Sequence, residues 1–482
     1  MADRRPHVVI VVVNLPVERD RRVIRECRAL EAAGYRVTVI CPRGPQKLRV
    51  LPGTETQIRS FPQPLAGSGV LSFAAEFAWA LIAVTTRLLG VMARTRVDAV
   101  QACNPPDVFW TIALLMRLLR RPFVFDHHDL SPELYECKTE NPRPVVLRIL
   151  KLMERFVFDH HDLSPELYEC KTENPRPVVL RILKLMERLS WRCASAVVST
   201  NESYRELAIS RGGCDPDDVV VVRNGPTLAE VGAAGIPAQR TGEPATAPGD
   251  DDRQVVVYLG VINPQDHVDA AVLAAERLVD LRGRGDWRLV VAGDGDSLPG
   301  LRQLVTERGL DDVVRFTGWL EADEVDALLR SASIAIQPDP PTRMADLSTM
   351  AKTVEYVARG LPVVAVDLLE TRRTAEGAAT YVPTGSPDEL AKALDQLLSD
   401  EEARSAMRTV ARRRFTELLA WDHQARAYIR LWDRLLRPRP TGSSPAPPMD
   451  PAHAEQGVND AAWYETGGGK APGRASQTNL TT

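Results

Sequence analysis

One short stretch of this 482-residue chain groups residue types that can hold a phosphorylated ligand: Asp346, Ser348, Thr349, Met350, Lys352 and Glu355. Ser348 stands just ahead of a helical pattern over 349–359 and reads as its N-cap. The amides of Thr349, Met350 and Ala351 would then lack an intrahelical partner. Such a helix start attracts phosphate through its free N–H groups and its dipole. Lys352 adds a positive charge there. Glu355, two turns after Ser348, can accept two hydroxyl hydrogen bonds of the kind a ribose offers. The same spacing also fits an ordinary capped helix with a solvated Glu.

A second candidate is FVFDHHD, where two His and an Asp follow a strand-like run. Residues 123–155 recur without one change as residues 156–188, a 33-residue tandem duplication. His128-Asp129 therefore has a twin in His161-Asp162, and only one copy can occupy the original place in a fold. Two units do not make a solenoid, which needs about three. Copy one's strand follows directly from helix 107–120 through Pro122, while copy two's helix runs into LSWRCASAVVSTN. The economical threading takes the strand and His128-Asp129 from copy one and the helix from copy two. The excess, within about 137–170, is extruded at a loop-entropy cost of about a few kcal/mol or less. His127 alternates to the other face and reads as structural.

The elements that must carry these residues alternate. HVVIVVVN (7–14), YRVTVICP (35–42), VDAVQAC (97–103), FVFD, SAVVSTN (195–201) and DDVVVVRNG (217–225) read as strands separated by helices. Residues 226–252 are rich in Ala, Gly, Pro and Asp and read as a linker. The alternation restarts with strands at 255–260, 287–293, 313–318, 333–338 and 361–367 and helices at 269–282, 299–308, 322–331, 349–359 and 387–399. Apolar strands alternating with helices predict α/β architecture, with two Rossmann-like doubly wound domains facing a cleft. The expected division is 1–227, a linker over 228–252, a second domain over 253–417, a helix over 418–436 returning toward the first domain, and a disordered Pro/Gly/Ser-rich tail over 437–482. Ligands in such sheets bind beyond the carboxyl ends of the strands.

Composition narrows the function. A net charge of −4 argues against nucleic acid as a partner. The seven Cys are scattered, with no CxxC pair, which predicts a reducing compartment and no zinc site. The start MADRRPHVVIVVVN enters a strand at once and lacks a signal-peptide pattern, so a cytoplasmic location is expected. VLSFAAEFAWALIAVTTRLLGVMA (70–93) is apolar, but Glu76 and Arg87 interrupt it, and a packed or interfacial helix fits better than a membrane span. NLPVERDRR (14–22) stands where a dinucleotide site has its Gly-rich turn, which argues against an NAD enzyme. GDGDS (293–297) reads as a strand-end turn rather than a metal loop.

Several phrases, in order over both domains, resemble the glycosyltransferase group 1 enzymes (family GT4) of GT-B fold. They are ERDRRVIRECRALEAAGYRVTVICPRG, CNPPD (103–107), FDHHDLSPELY, VVRNGP, YLGVINPQDHVD, VVAGDGD, VRFTGWL and STMAKTVEYVARGLPVVAVDL. The resemblance implies sugar transfer from a nucleotide-diphosphate sugar to a lipid-linked, polysaccharide or other acceptor, with retained configuration and no metal or other cofactor. It places the diphosphate loop on Ser348, Thr349 and Met350, and the ribose contact on Glu355. It places the sugar-facing His-Asp on His128-Asp129, or on His161-Asp162. It puts the nucleobase near Gly318 and Trp319, and a donor-facing strand end at Gly260. Two departures stand out. The first Glu of the family's pair falls on Leu347, leaving Asp346 as the nearest substitute. The family's Arg and Lys after the Gly fall on Val261 and Asp266, and Lys352, with Arg372 or Arg373, would supply the missing charge. The resemblance and the 70–93 helix are compatible with peripheral contact at the inner face of a membrane. A non-hydrolysing nucleotide-sugar 2-epimerase on the same architecture and a catalytically silent nucleotide-sugar-binding protein are the alternatives.

Overall fold

The computed structural model describes residues 5–13, 15–62, 70–103, 109–127, 177–233 and 253–437. The amino lobe runs β1 (His7–Val11), α1 (Arg21–Ala32), β2 (Arg36–Ile40), β3 (Gln57–Ile58), α2 (Val70–Met92), β4 (Ala99–Cys103), α3 (Trp110–Leu118), β5 (Phe123–His127), α4 (Pro177–Cys193), β6 (Ala196–Ser199), α5 (Glu202–Ser210), β7 (Val219–Val221) and α6 (Leu228–Ala233). The carboxyl lobe runs β8 (Gln254–Leu259), α7 (Val268–Arg282), β9 (Trp287–Ala292), α8 (Leu298–Glu307), β10 (Val314–Gly318), α9 (Ala322–Ser331), β11 (Ile334–Gln337), α10 (Arg343–Leu347), α11 (Ala351–Ala358), β12 (Val363–Val366), α12 (Leu369–Ala375), β13 (Ala379–Val382), α13 (Pro387–Ser399) and α14 (Glu401–Arg414). A π turn at Phe415–Leu419 leads into α15 (Trp421–Leu436).

The strands are short β-branched runs buried on both faces, as in β1 and β12, and such strands form parallel sheets covered by helices. The amino sheet has the order β3-β2-β1-β4-β5-β6-β7 and the carboxyl sheet β10-β9-β8-β11-β12-β13. Every pairing in both is parallel. The architecture is therefore two Rossmann-like doubly wound sheets, as the alternation predicts. The order reverses between β1 and β4 in one sheet and between β8 and β11 in the other, and ligand crevices form at such reversals.

Both sheets are filled from two sides. In the amino lobe, Val23, Cys27 and Leu30 of α1 share one core with Tyr428, Leu431 and Trp432 of α15, so the last helix lies on the first sheet. Helices α2, α3, α4 and α5 cover the opposite face, with Val84, Leu88, Ile112, Met116, Trp191 and Ala208 packed inward. Among the described residues no helix is long and apolar enough to cross a membrane.

β5 is built from the first copy of the duplicated segment, pairing Phe125 with Ala102 and Val197, while α4 carries residues of the second copy into β6. His128, Asp129, His161 and Asp162 lie outside the described residues, as do most of CNPPD and the tail.

Three expectations need correction. The linker expected over 228–252 begins with a helix. Thr227 and Glu230 exchange side-chain-to-backbone hydrogen bonds in a capping box, and Val231 is buried in the carboxyl-lobe core. Helices α10, α12 and α14 and strand β13 were not anticipated: no element was expected over 339–348, 368–386 or 400–417. The helix expected from 349 starts at Ala351.

Candidate functional site

The carboxyl-lobe reversal brings together the loops after β8, β9, β10 and β11. Gly260 N–H donates to Ala292 O, Ile262 N–H to Asp294 O and Gly293 N–H to Gly318 O, each at 3.0 Å. Gly293 has φ +139, and a Cβ there would stand 1.8 Å from Gly260 O. GDGDS is thus a turn stacked on the 260–263 loop, with the Asp294 carboxylate accepting from the Gly295 amide.

The 346–355 stretch crosses this crevice. Ser348 is not the N-cap of α11. It ends α10, and its buried hydroxyl bonds the Tyr204 hydroxyl at 3.0 Å. Met350 is the N-cap and offers no side-chain cap, because its thioether packs on the carboxyl-lobe core. Among the described residues the amides of Thr349, Met350, Ala351 and Lys352 have no hydrogen-bond partner. Four unpaired N–H groups at a helix start form an anion site. Asp346 does not stand free toward a ligand: one of its oxygens accepts from Leu369 N at 2.7 Å and caps α12. Glu355, half-buried, is held by Arg359 one turn further along α11. Gly318 closes β10 with φ +72, and Trp319 beside it is 65% exposed.

Lys352 is committed to other partners. Its Nζ lies 2.7 Å from Asp339 Oδ1, 3.1 Å from Asp266 Oδ1 and 3.3 Å from the Tyr258 hydroxyl. Asp266, which stands where the resembled family has Lys, thus meets a lysine arriving from another helix. Burial alone would pull the ammonium down, but Asp339, Tyr258 and Asp266 more than reverse that, and it stays charged. Burial raises the Asp266 carboxyl, and Asp339 adds to the rise. One cation between two carboxylates leaves no surplus positive charge for a diphosphate. Arg372 pairs with Asp367, and Arg373 with Glu370.

Sequence reasoning missed the seam between the lobes. Glu370, fully buried, accepts from Ser203 N at 3.1 Å, Ser203 Oγ at 2.6 Å and Arg373 Nη1 at 2.7 Å. Asn201 caps α5 through Tyr204 N and donates to Leu347 O at 3.0 Å. The start of α5 in one lobe therefore grips Leu347, Ser348 and Glu370 of the other. The only trace in sequence is the cap pattern Asn201-Glu202-Ser203.

In the amino lobe the strand ends rest on a buried charge network. Arg22 Nη2 and Nε donate to Asp126 at 2.8 and 3.3 Å, and Nη1 to Val222 O and Asn224 Oδ1 at 3.0 and 2.7 Å. Gln101 Nε2 donates to Glu26 at 2.7 Å and Asp126 at 3.0 Å, and the Tyr428 hydroxyl of α15 donates to Gln101 Oε1. Arg22 Nε also approaches Glu26 Oε1 at 3.0 Å as an ion pair, without hydrogen-bond geometry. Burial first, and the Asp126 charge second, push the Glu26 carboxyl well above its ordinary range. Glu26, Cys103 and Asp126 stand close enough to share a metal ion, but the Arg22 guanidinium already answers both carboxylates. ERDRR, FDHHD and VVRNG thus meet at one arginine.

The family model described as Glycosyl transferases group 1 matches residues 253–400, and the one described as Glycosyl transferase 4-like domain matches residues 20–225. The chain is 30% identical over 261 residues to a D-inositol 3-phosphate glycosyltransferase of Kineococcus radiotolerans, covering 51% of this chain and 58% of that protein. It is 32% identical over 161 residues to an alpha-D-kanosaminyltransferase of Streptomyces kanamyceticus, covering 33% and 40%. The chain thus spans about half the length of these curated relatives. The HepE protein of Anabaena, crystallised with UDP and glucose, superposes with a TM-score of 0.58 at 14% identity, over 89% of this chain and all of that one.

Proposed function

We propose a function from the chain's membership of the group 1 glycosyltransferases, of GT4-like type and GT-B fold, whose models match both lobes: transfer of a sugar from a nucleotide-diphosphate sugar to a lipid-linked or polysaccharide acceptor, with retention and without a metal. The observation that carries this reading is the set of unpaired amides opening α11 at the carboxyl-lobe reversal. On this reading the donor diphosphate rests on the amides of 349–352, and the helix dipole stabilises the charge that grows as the glycosidic bond breaks. Glu355 receives the ribose hydroxyls, Gly318 and Trp319 border the base, and the Thr349 hydroxyl flanks the diphosphate, while Ser348, held by Tyr204, fixes the backbone beside it. His128 and Asp129 contact the sugar from the amino lobe, and the enzyme works at the inner face of a membrane.

A thermal-shift screen against UDP-, GDP-, ADP- and dTDP-sugars tests the reading, since a ligand of the folded form raises its melting temperature. One class of donor should do so, and EDTA should leave transfer unchanged. No shift with any donor sinks the proposal. A second reading has an observation in its favour: Lys352 is spent on two carboxylates, and Val261 and Asp266 replace basic residues of the resembled pattern. A silent nucleotide-sugar-binding protein would bind a donor yet neither transfer nor hydrolyse its sugar.

A further inference from the structure

Helices α2, α3 and α4 cover the same face of the amino sheet, so their outer sides look the same way. Those outer sides are apolar. On α2, Trp79, Ile82 and Leu89 form one exposed stripe at helical spacing; on α3, Leu114 and Leu118 are exposed, Leu118 at 81%; on α4, Leu185 is half exposed. Single exposed leucines are ordinary, but a row across three neighbouring helices is not.

The exposed charge on the described outer sides of α2, α3 and α4 has one sign. Arg87, Arg94, Arg117, Arg120 and Arg188 are exposed among these apolar residues. There is no Asp or Glu from Trp79 to Arg96 or from Trp110 to Arg121. The one acid in the described side chains of α4, Glu187, is buried and paired with Arg211. Over Trp79–Arg96, Trp110–Arg121 and the described side chains of α4, this chain of net charge −4 thus shows arginine and leucine and no exposed acid, while the neighbouring α5 carries the exposed Glu206. Like charge across a two-fold axis disfavours a second copy as the cover, since such an interface sets the same arginines against each other.

We infer that this face docks on an anionic phospholipid surface, with Trp79, Ile82, Leu89, Leu114 and Leu118 entering the interface and the arginines meeting the headgroups. Shallow apolar insertion joined to basic flanks is how a protein lies on a bilayer without spanning it. The inference rests on the peripheral location proposed above and names the surface that would produce it.

The test is co-sedimentation of the full chain with vesicles of phosphatidylcholine alone and of phosphatidylcholine mixed with phosphatidylglycerol. Binding should require the anionic lipid and weaken with salt. Each of Arg87→Gln and Arg117→Gln should lower partitioning roughly five-fold, the equivalent of about 1 kcal/mol per basic residue near the surface. Ile82→Ser with Leu118→Ser should lower it more than about ten-fold. Both residues are exposed, so circular dichroism should show an unchanged fold. No binding, equal binding to neutral vesicles, or unaltered binding by the variants overturns the inference. So does light scattering that shows the Ser variant converting a dimer to a monomer. A chain that answers a donor in the thermal-shift screen but ignores vesicles loses this surface and keeps the transfer reading. Vesicle binding with no donor response does the reverse.

Discussion

At the carboxyl-lobe reversal, the strand-end loops are held by glycines and backbone hydrogen bonds, and four amides are left unpaired beside them. In the amino lobe, β4 and β5 end over buried charges that are answered almost completely by Arg22, Gln101 and Tyr428. The start of α11 keeps unspent amides, while the carboxylate and amide groups under β4 and β5 spend most of their capacity on one another, Glu26 Oε1 excepted. The first arrangement suits a ligand that brings its own charge. The second fixes the ends of β4 and β5. Binding should therefore depend on the start of α11 and its contacts across the seam, and stability on the buried charge clusters.

The strongest break of that division is Arg22→Ala. It leaves Asp126 charged and buried without its partner, and urea unfolding should show a loss of about 3–5 kcal/mol. Donor affinity of the folded fraction should stay unchanged; a large change in affinity would mean that this charge cluster reaches the donor site. Next comes Lys352→Ala. Because the ammonium serves Asp339 and Asp266, stability should fall by about 2–4 kcal/mol, more than donor binding weakens. A variant as stable as the wild type with lost affinity would return Lys352 to the diphosphate.

Glu26→Gln sharpens the comparison through pH. The folded state keeps a proton on Glu26 that the unfolded chain releases above its ordinary value of 4.5. Stability from this group is therefore complete below about pH 4.5 and falls as pH rises toward the folded value, by up to about 1.4 kcal/mol per pH unit. The Gln variant should flatten that slope in urea titrations at successive pH values. A slope unchanged by the substitution would show Glu26 ionised in the fold. The smallest effect belongs to Tyr204→Phe, which removes the hydroxyl that holds Ser348 from across the seam. Donor affinity should drop about five-fold, the equivalent of about 1 kcal/mol, with the melting temperature nearly unchanged. Isothermal titration with the donor found in the screen decides it.

Eleven of the thirteen described strands, all but β3 and β13, were legible because their signals are local. β-branched runs, Gly stops after helices and the restart of alternation near residue 255 each need only a few neighbours. The threading of the duplication was legible for the same reason, since Pro122 joins copy one to α3 and the LSWRC run joins copy two to β6. The partners within the site were not legible. Lys352 meets Asp266 from 86 positions away, and Ser203 meets Glu370 from 167. No periodicity in a sequence reports such pairings. Ser348 shows the cost: its type and place suggest a cap for α11, yet burial against Tyr204 in the other lobe claims its hydroxyl.

The origin of β5 and α4 in different repeat units has a further consequence. Because the units are identical and adjacent, excising one unit's length from any start point between residues 123 and 156 returns the same polypeptide. Deleting one unit would therefore change no residue type in the described strands or helices. The shortened protein should melt as cooperatively as the longer one. Any difference in turnover between them would then measure the burden of the surplus chain itself.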